Sequence, residues 1–237
     1  KQHPDELHPS YPPDKEVRAE DDFFFVWGLY DLVRRAKGNG LKLPTDALVV
    51  ISTPIEGVVE VGQTKVFRID GTSAKDLTRA EVEARKQVMT FVKFLKNYVP
   101  GFESASLIAT APCIGVRESR RILGEYALTQ EDVLQGRKFD DVAVRLFSGI
   151  LDVHPSYEGD EFIMIPVENV PYEIPYRCLV PKQVDGLLVA GRCISATHEA
   201  LGAIRSQQIC MAMGQAAGTA AALAARDGVP PRKVDVH

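Results

Sequence analysis

The feature that most constrains the fold of this chain is a run of small residues near its C-terminus, residues 204–226. This run predicts a helix that Gly228 and the prolines after it bring to an end. Small side chains cover nearly every face of the helix, so it gains little by burying large apolar groups. Gly214 and Gly218 share one face because they are four residues apart, and they allow another backbone or a flat ligand to approach closely.

A second constraint lies directly before this helix. Residues 187–190 are a wholly apolar run of the kind that is buried in parallel sheets, which predicts a strand. The strand leads into Gly191 and Arg192 and then a loop. A strand-to-helix turn of this kind places free backbone amides beside the end of a sheet, which suits an anionic or electron-rich ligand edge. Taken alone, the turn is equally compatible with plain packing.

The N-terminal part of the chain combines a polar leader, a helix and a small sheet. Residues 1–20 are polar and rich in proline, with no apolar core of the secretory type, so no signal peptide is predicted. Residues 22–37 are rich in apolar side chains and end at a glycine turn, which predicts a short helix. Three β-branched runs then predict a small antiparallel sheet. These runs are residues 48–51, 57–61 and 65–69.

Two capping patterns predict further helices. Thr78 and Glu81 match a capping box, in which a hydroxyl and a carboxylate satisfy the first free amides, and a helix is predicted over residues 79–97. Thr129 and Asp132 form a second such pair. Short strands are predicted at residues 106–110 and 163–165.

Composition argues against two classes of function. The chain of 237 residues is 45% hydrophobic and 25% charged, which is ordinary for a globular protein that can bury a core. Its formal net charge of -4 gives no basic excess to attract a phosphate backbone, so nucleic acid is not an expected partner. No apolar run approaches the roughly 20 residues that span a bilayer, so no membrane association is expected and the predicted location is the cytoplasm.

The four cysteines predict neither a metal site nor a disulfide framework. They include no C-x-x-C pair and have no histidine at metal-ligand spacing, so no bound metal is expected. Reduced thiols are expected, with pairing left open because the number is even. Cys178 and Cys193 border the Gly191 turn, and in the absence of C-x-x-C spacing we interpret both as packing residues.

Five segments in order resemble the FAD-dependent oxidoreductases, a family of the glutathione-reductase-like flavoproteins that bind FAD and NAD(P). Three of them resemble the C-terminal segment of that family and two resemble its middle region, with order and spacing preserved. The segments are residues 77–81 (LTRAE), 115–122 (GVRESRRI), 174–181 (IPYRCLVP), 187–200 (LLVAGRCISATHEA) and 211–222 (MAMGQAAGTAAA).

The resemblance implies a fold of mixed α/β class. It would combine a partial FAD/NAD(P)-binding domain with an associated substrate domain, built from helices and a small, mostly antiparallel sheet. Residues 1–20 would be a leader, residues 21–170 a substrate or cap-like domain, and residues 171–237 the C-terminal part of the FAD-binding domain.

The resemblance also implies FAD as the cofactor. The turn formed by Ala190, Gly191 and Arg192 would lie against the flavin, and a helix N-terminus near Gly202 and Ala203 would face the isoalloxazine ring. Backbone amides and a helix dipole at that edge would stabilise the anionic reduced ring.

The glycine-rich cradle that holds the rest of FAD is not found in this sequence. Gly38 and Gly40 have G-x-G spacing, but Leu43 occupies the position of the third glycine. In related full-length enzymes the cradle precedes the point where this chain starts, so we expect a C-terminal portion that does not retain FAD alone and is inactive alone. The expected partners are a small-molecule substrate and the missing N-terminal segment or another copy of the chain.

These features leave three functions open. The first, implied by the resemblance, is flavin-linked oxidation or reduction of a small organic substrate, with hydride passing through the flavin N5. The second is a non-catalytic folded remnant or interaction module, which the absent cradle favours. The third is a plain small-ligand binder that uses the arginines near residue 120.

The candidate catalytic residues are His198 and Arg177. An imidazole titrates near about pH 6.5, which suits proton transfer by His198 to a substrate or flavin, and the alternative is a hydrogen bond that only orients the loop. Arg177 follows Pro175 and Tyr176 just before the flavin-side segment, and it is the arginine expected to face the substrate.

The candidate substrate-binding residues are Arg117, Arg120 and His154. Arg117 and Arg120 belong to an arginine cluster around Glu118, where one guanidinium is expected to bind an acidic substrate group, with surface ion pairing as the alternative. His154 has Asp152 two residues before it as a candidate orienting carboxylate, and a simple turn position before proline is equally compatible.

Overall fold

The computed structural model describes residues 24–146, 149–154, 163–167 and 171–236. The predicted leader at residues 1–20 lies outside these ranges. The contacts divide the chain into two compact units, Lys1–Gly115 and Val116–His237. Residues 116–170 thus belong to the same unit as residues 171–237, and the predicted functional boundary between residues 170 and 171 stays a prediction.

The first unit contains a three-stranded antiparallel sheet in the order β1-β2-β3, as the β-branched runs predicted in part. The strands are β1 Phe25–Gly28, β2 Leu48–Ser52 and β3 Val59–Gly62, with helix α1 Tyr30–Gly38 between the first two. The prediction of one helix over residues 22–37 was wrong in its first half, because Leu29 takes a positive φ of 66° that separates β1 from α1. Residues 22 and 23 lie outside the described ranges.

The predicted third strand, residues 65–69, is not a strand. The backbone N–H and carbonyl of Lys65 form hydrogen bonds with a side chain and not with a neighbouring strand. Lys65 N–H donates to Gln87 Oε1 at 2.9 Å, and Gln87 Nε2 donates back to the Lys65 carbonyl at 2.7 Å. The predicted strand at residues 106–110 also forms no strand.

Helix α2, Ala74–Tyr98, contains the predicted helix and begins earlier than predicted. Its N-cap is Ser73, whose hydroxyl accepts from Asp76 N–H at 3.4 Å. Thr78 therefore lies inside the helix, where its hydroxyl donates to the Ala74 carbonyl at 2.8 Å. The core of this unit is formed where apolar side chains of α2 pack with those of α1 and β2. Its fully buried members include Val33, Ala36, Leu48 and Phe94.

The described residues of the second unit form two antiparallel strand pairs and three α-helices. Strand β4 pairs with β7, and β5 pairs with β6. The prediction of a strand at residues 163–165 is confirmed. The elements are β4 Val142–Leu146, β5 Gly149–Val153, β6 Ile163–Val167, β7 Tyr172–Pro175, α3 Gln130–Leu134, α4 His198–Ile204 and α5 Gln207–Asp227. Across both units, the mixture of helices and small sheets agrees with the predicted α/β class.

The second capping pair is confirmed at α3. The Thr129 hydroxyl accepts from Asp132 N–H at 3.2 Å, and the Asp132 carboxylate accepts from Thr129 N–H at 2.9 Å.

The apolar run at residues 187–190 is not the predicted buried strand. Leu187 is exposed, and Val189 N–H donates a backbone hydrogen bond to the Leu179 carbonyl at 2.9 Å. A strand requires a ladder of hydrogen bonds with a neighbour, and none of the strands in the described ranges pairs with this run.

The predicted small-residue helix is confirmed as α5, which begins at Gln207, three residues later than predicted, with Ser206 as its N-cap residue. Ile204 is the last residue of the preceding helix α4. Gly228 ends α5 with a positive φ of 64°, as predicted. Gly214 and Gly218 are exposed, and a Cβ built on either would meet no atom within 4 Å. None of the helices in the described ranges is long and apolar enough to cross a membrane.

Candidate functional site

A polar site in the second unit is built from the segment that follows Val116, strand β5 and the start of helix α4. Thr197 caps α4 by accepting from Ala200 N–H at 3.3 Å, which makes His198 the first residue of the helix. His198 Nδ1 contacts one oxygen of the Glu118 carboxylate, and Arg121 Nη1 contacts the other. The imidazole is 42% exposed while Glu118 is 25% exposed, so the carboxylate lies behind the ring and the ring faces outward.

The second half of the site surrounds Asp152 on β5. Its carboxylate accepts from Arg205 at 2.7 Å, from His154 Nε2 at 3.2 Å and from Arg117 at 3.3 Å. Burial acts to raise the pKa of Asp152. The hydrogen bond from His154 and the charges on His154, Arg205 and Arg117 outweigh burial, so the pKa is lowered. The carboxylate is therefore held ionised.

Arg205 is the most enclosed cation of the site, with a side chain only 12% exposed. It donates to the Asp152 carbonyl at 2.6 Å as well as to the carboxylate. Burial, followed by the charge on Arg117, lowers the pKa of Arg205, and the Asp152 carboxylate offsets part of this effect.

Gly202 explains how α4 comes so close to β5. A Cβ at this position would lie 2.7 Å from the carbonyl oxygen of Asp152 and 3.2 Å from Val153 Cγ2. Only a residue without a side chain fits there. The close contact brings Arg205, directly after α4, to Asp152.

The two halves form one network because Arg117 and Glu118 are consecutive residues. We call this network the Glu118–Asp152 cluster. Its members are Arg117, Glu118, Arg121, Asp152, His154, His198 and Arg205. It combines a histidine held by a carboxylate with exposed positive charge, an arrangement able to move a proton and to bind an anionic group.

Three predicted site residues meet in this cluster, namely His198, Arg117 and His154. Asp152 and His154 are hydrogen-bonded, so the carboxylate is placed to orient the imidazole. Arg120 is exposed and makes no hydrogen bond or ion pair within the described part of the chain. Sequence reasoning missed Arg205, whose signal was its position seven residues, about two helical turns, after His198.

Arg177, the other predicted catalytic residue, has a different partner. Its guanidinium donates to both oxygens of Asp141, at 2.9 and 3.1 Å, and lies over the Tyr126 ring with 5.4 Å to the centroid. The hydrogen bond that Arg177 donates to Asp141 raises the pKa of Arg177. These contacts give Arg177 a structural role, and its contact with a substrate stays a prediction.

The turn at Gly191 is open to a ligand. Gly191 has a positive φ of 85°, and the atom nearest to an added Cβ is Cys210 Sγ at 4.0 Å. The N–H groups of Gly191, Arg192 and Cys193 donate no hydrogen bond within the described ranges. The exposed Arg192 side chain donates to the Val116 carbonyl.

Comparison with known proteins identifies the family. The family model described as FAD dependent oxidoreductase matches residues 16–237. The chain belongs to this family. Searches of curated proteins and of solved structures gave no significant match. Membership assigns flavin-linked redox activity and FAD to the family of this chain.

As a member of the FAD dependent oxidoreductase family, the chain has one segment whose chemistry suits a flavin, and its contact with FAD stays a prediction. Within the described residues the Gly191 and Arg192 amides donate no hydrogen bond, and together with the Arg192 cation they suit an electron-rich ring edge. Gly202 and Ala203 are placed differently from the prediction, because α4 begins at His198 and both residues lie inside it. Gly202 packs on β5, and Ala203 is buried with its carbonyl accepting from Tyr172 at 3.0 Å.

The two cysteines that border the turn differ in exposure. Cys178 is fully buried, and burial raises its pKa to about 12, which agrees with a packing role. Cys193 is exposed, so its interpretation as a packing residue was wrong. It follows the turn directly and its side chain faces outward instead of into the core.

Proposed function

We propose that the Glu118–Asp152 cluster is the substrate-facing site of a flavin-linked oxidoreductase that acts on a small organic substrate carrying an anionic group. The observation that supports this proposal is the partly exposed His198 ring held from behind by Glu118, beside the exposed guanidinium of Arg117. A purely structural ion-pair network has no need for an outward-facing imidazole.

His198 would carry the proton. Because the Glu118 carboxylate can only accept, it holds the proton of the ring on Nδ1 and leaves Nε2 to accept or donate at the substrate. Arg121 fixes the orientation of the Glu118 carboxylate by contacting its second oxygen. Glu118 is therefore a positioning residue for His198.

Arg117 would bind the anionic group. Its side chain is 59% exposed and its bond to Asp152, at 3.3 Å, is the longest in the cluster. The remaining donors of the guanidinium suit a carboxylate, which they can bind with two parallel hydrogen bonds. Arg120 offers a second exposed cation.

The Gly191 turn would hold the electron-rich edge of the flavin through its amides and Arg192. When bound, FAD supplies the redox chemistry by accepting or donating a hydride at N5. Whether this chain retains FAD alone or needs another polypeptide segment is part of the test.

The test begins with absorbance at about 450 nm, the band of a flavoprotein, in this chain as purified and in this chain mixed with FAD. A panel of small organic acids is then added anaerobically, and bleaching of the band identifies a substrate. His198→Gln should lower the rate of bleaching by about 10²- to 10⁴-fold. Full activity of this variant, or no flavin in any preparation, contradicts the proposal.

Arg117→Gln separates binding from proton transfer. We expect a raised KM for anionic substrates with a smaller change in kcat, whereas Arg34→Gln serves as the matched control. Arg34 is an exposed arginine of the first unit, paired with Asp31. Equal KM values for the two variants would exclude Arg117 from substrate binding.

A second candidate function is an interaction module that is not catalytic by itself. Exposed apolar side chains support it, since Leu187 is 46% and Met211 is 74% exposed, and the Gly214 face of α5 is open. Its partner would be an FAD-binding segment or another copy of the chain. Light scattering of the purified chain tests this candidate, because a monomer that binds FAD tightly contradicts it.

A further inference from the structure

Cys193 and Cys210 lie beside the same glycine turn, although they are far apart in the sequence and form no C-x-x-C motif. Cys193 Sγ lies 3.4 Å from the Ala190 carbonyl oxygen. Cys210 Sγ lies 4.0 Å from the position that a Cβ on Gly191 would take. Because Ala190 and Gly191 are consecutive, both sulfur atoms lie beside one short stretch of backbone.

The two thiols differ in structural position and exposure. Cys210 belongs to the first turns of α5, and its thiol donates to the Arg205 carbonyl at 3.6 Å. Cys193 is exposed on the turn itself. Gly191 contributes no side chain between the two residues. One thiol is therefore fixed on a helix and the other is accessible to solvent.

The electrostatics agree with this division. Burial raises the pKa of Cys210, the charge on Arg192 lowers it, and the neighbouring Cys193 raises it. The thiols are thus within electrostatic reach of each other. The exposed Cys193 is the better initial nucleophile, and Cys210 is suited to react second.

We propose that Cys193 and Cys210 form a redox-sensitive pair that a peroxide converts to a disulfide across the Gly191 turn. The Cys193 thiol releases its proton, and the thiolate attacks a peroxide oxygen to form a sulfenic acid. The O–O bond breaks, and the departing hydroxide takes up that proton and leaves as one water. The Cys210 sulfur then attacks the Cys193 sulfur, the S–O bond breaks, and a second water leaves. Two thiols are oxidised and one hydrogen peroxide is reduced to two waters.

Peptide mapping of the whole chain tests this pair. The protein is treated with hydrogen peroxide, alkylated with iodoacetamide and digested with trypsin without reduction. Cleavage after Arg192, Arg205 and Arg226 separates the two cysteines into residues 193–205 and 206–226. We expect a peroxide-dependent peptide that joins these two segments and disappears on treatment with dithiothreitol.

Single substitutions supply the controls. Cys193→Ser and Cys210→Ser should abolish the joined peptide, and Cys210→Ser should leave a sulfenic acid at Cys193 that dimedone traps. Cys113→Ser, at an exposed cysteine of the first unit, should retain the joined peptide. The peroxide dose is raised until Cys113 is oxidised in the wild type. Separate alkylated peptides at that dose, or a bond between two chains, overturn the proposal.

Discussion

At the scale of single residues, Asp152 connects the largest number of groups in the Glu118–Asp152 cluster. Burial acts to raise its pKa, but His154, Arg205 and Arg117 outweigh burial and lower it. The pKa in the folded protein therefore lies below the value of about 3.9 for an unfolded chain. The stability contributed by this carboxylate is present above the unfolded pKa and is lost as the pH falls through the folded pKa.

Asp152→Asn should lower the free energy of unfolding by about 1.5–3 kcal/mol at neutral pH, because the amide loses the charge that its cationic partners face. The difference from the wild type should shrink as the pH falls below about 4. Urea denaturation between pH 7 and pH 3 measures both effects.

The control for this substitution is Asp31→Asn, which removes an exposed ion pair with Arg34 and should cost less than about 1 kcal/mol. Equal losses in the two variants at neutral pH would contradict the role of Asp152. A difference from the wild type that grows toward acid would contradict the sign of its pKa shift.

At the scale of elements, the contact between α4 and β5 positions the site. Gly202→Ala should lower the free energy of unfolding by about 1–3 kcal/mol, because the new Cβ would lie 2.7 Å from the Asp152 carbonyl oxygen. This oxygen belongs to the backbone, so it cannot move aside as a flexible side chain can. Gly214→Ala is the matched control in α5, where a Cβ meets nothing within 4 Å. Gly214→Ala should raise the free energy of unfolding by about 0.5–1 kcal/mol, because alanine has a higher helix propensity than glycine.

Urea denaturation of the two alanine variants measures this difference. Stabilisation by Gly202→Ala would show that α4 is free to move away from β5. The position of Arg205 against Asp152 would then not depend on this contact.

The sequence predicted the elements whose signals are local. The Thr129 and Asp132 pair defined the start of α3, and Gly228 defined the end of α5, because capping depends only on residues within one turn. The start of α2 has two possible N-cap residues, Ser73 and Thr78, and the helix begins after Ser73. The apolar run at residues 187–190 misled because a strand depends on neighbours that its own sequence does not specify.

The sequence predicted several residues of the candidate site by their type, but it did not predict most of the partners that these residues contact. His198, Arg117 and His154 were found as candidates because histidine and arginine suit proton transfer and anion binding. The carboxylate partners of His198 and Arg117 are set by contacts between distant segments, as when Glu118 meets His198, whereas the partner of His154 lies two residues before it. Arg177 was predicted to face a substrate, but its guanidinium donates to Asp141, a partner that the sequence did not indicate.

At the scale of the whole molecule, each cluster of buried residues in the described ranges lies within one of the two compact units. Every buried residue of one cluster, which includes Leu48, belongs to Lys1–Gly115, and every buried residue of the other two clusters, which include Leu151, belongs to Val116–His237. A domain with its own core can unfold as its own cooperative unit. We therefore expect the two units to differ in their response to a core substitution.

Leu48→Ala and Leu151→Ala test this expectation as a matched pair, since both leucines are fully buried in strands, β2 and β5. Each should cost about 2–5 kcal/mol. Hydrogen exchange followed by mass spectrometry should show faster exchange of the slowest amides by more than tenfold, since about 1.4 kcal/mol corresponds to tenfold. The effect of each substitution should be confined to its own unit. If Leu48→Ala accelerates the amides of α5 as much as those of α2, the chain unfolds as one cooperative unit, and the site in the second unit depends on the first for its stability.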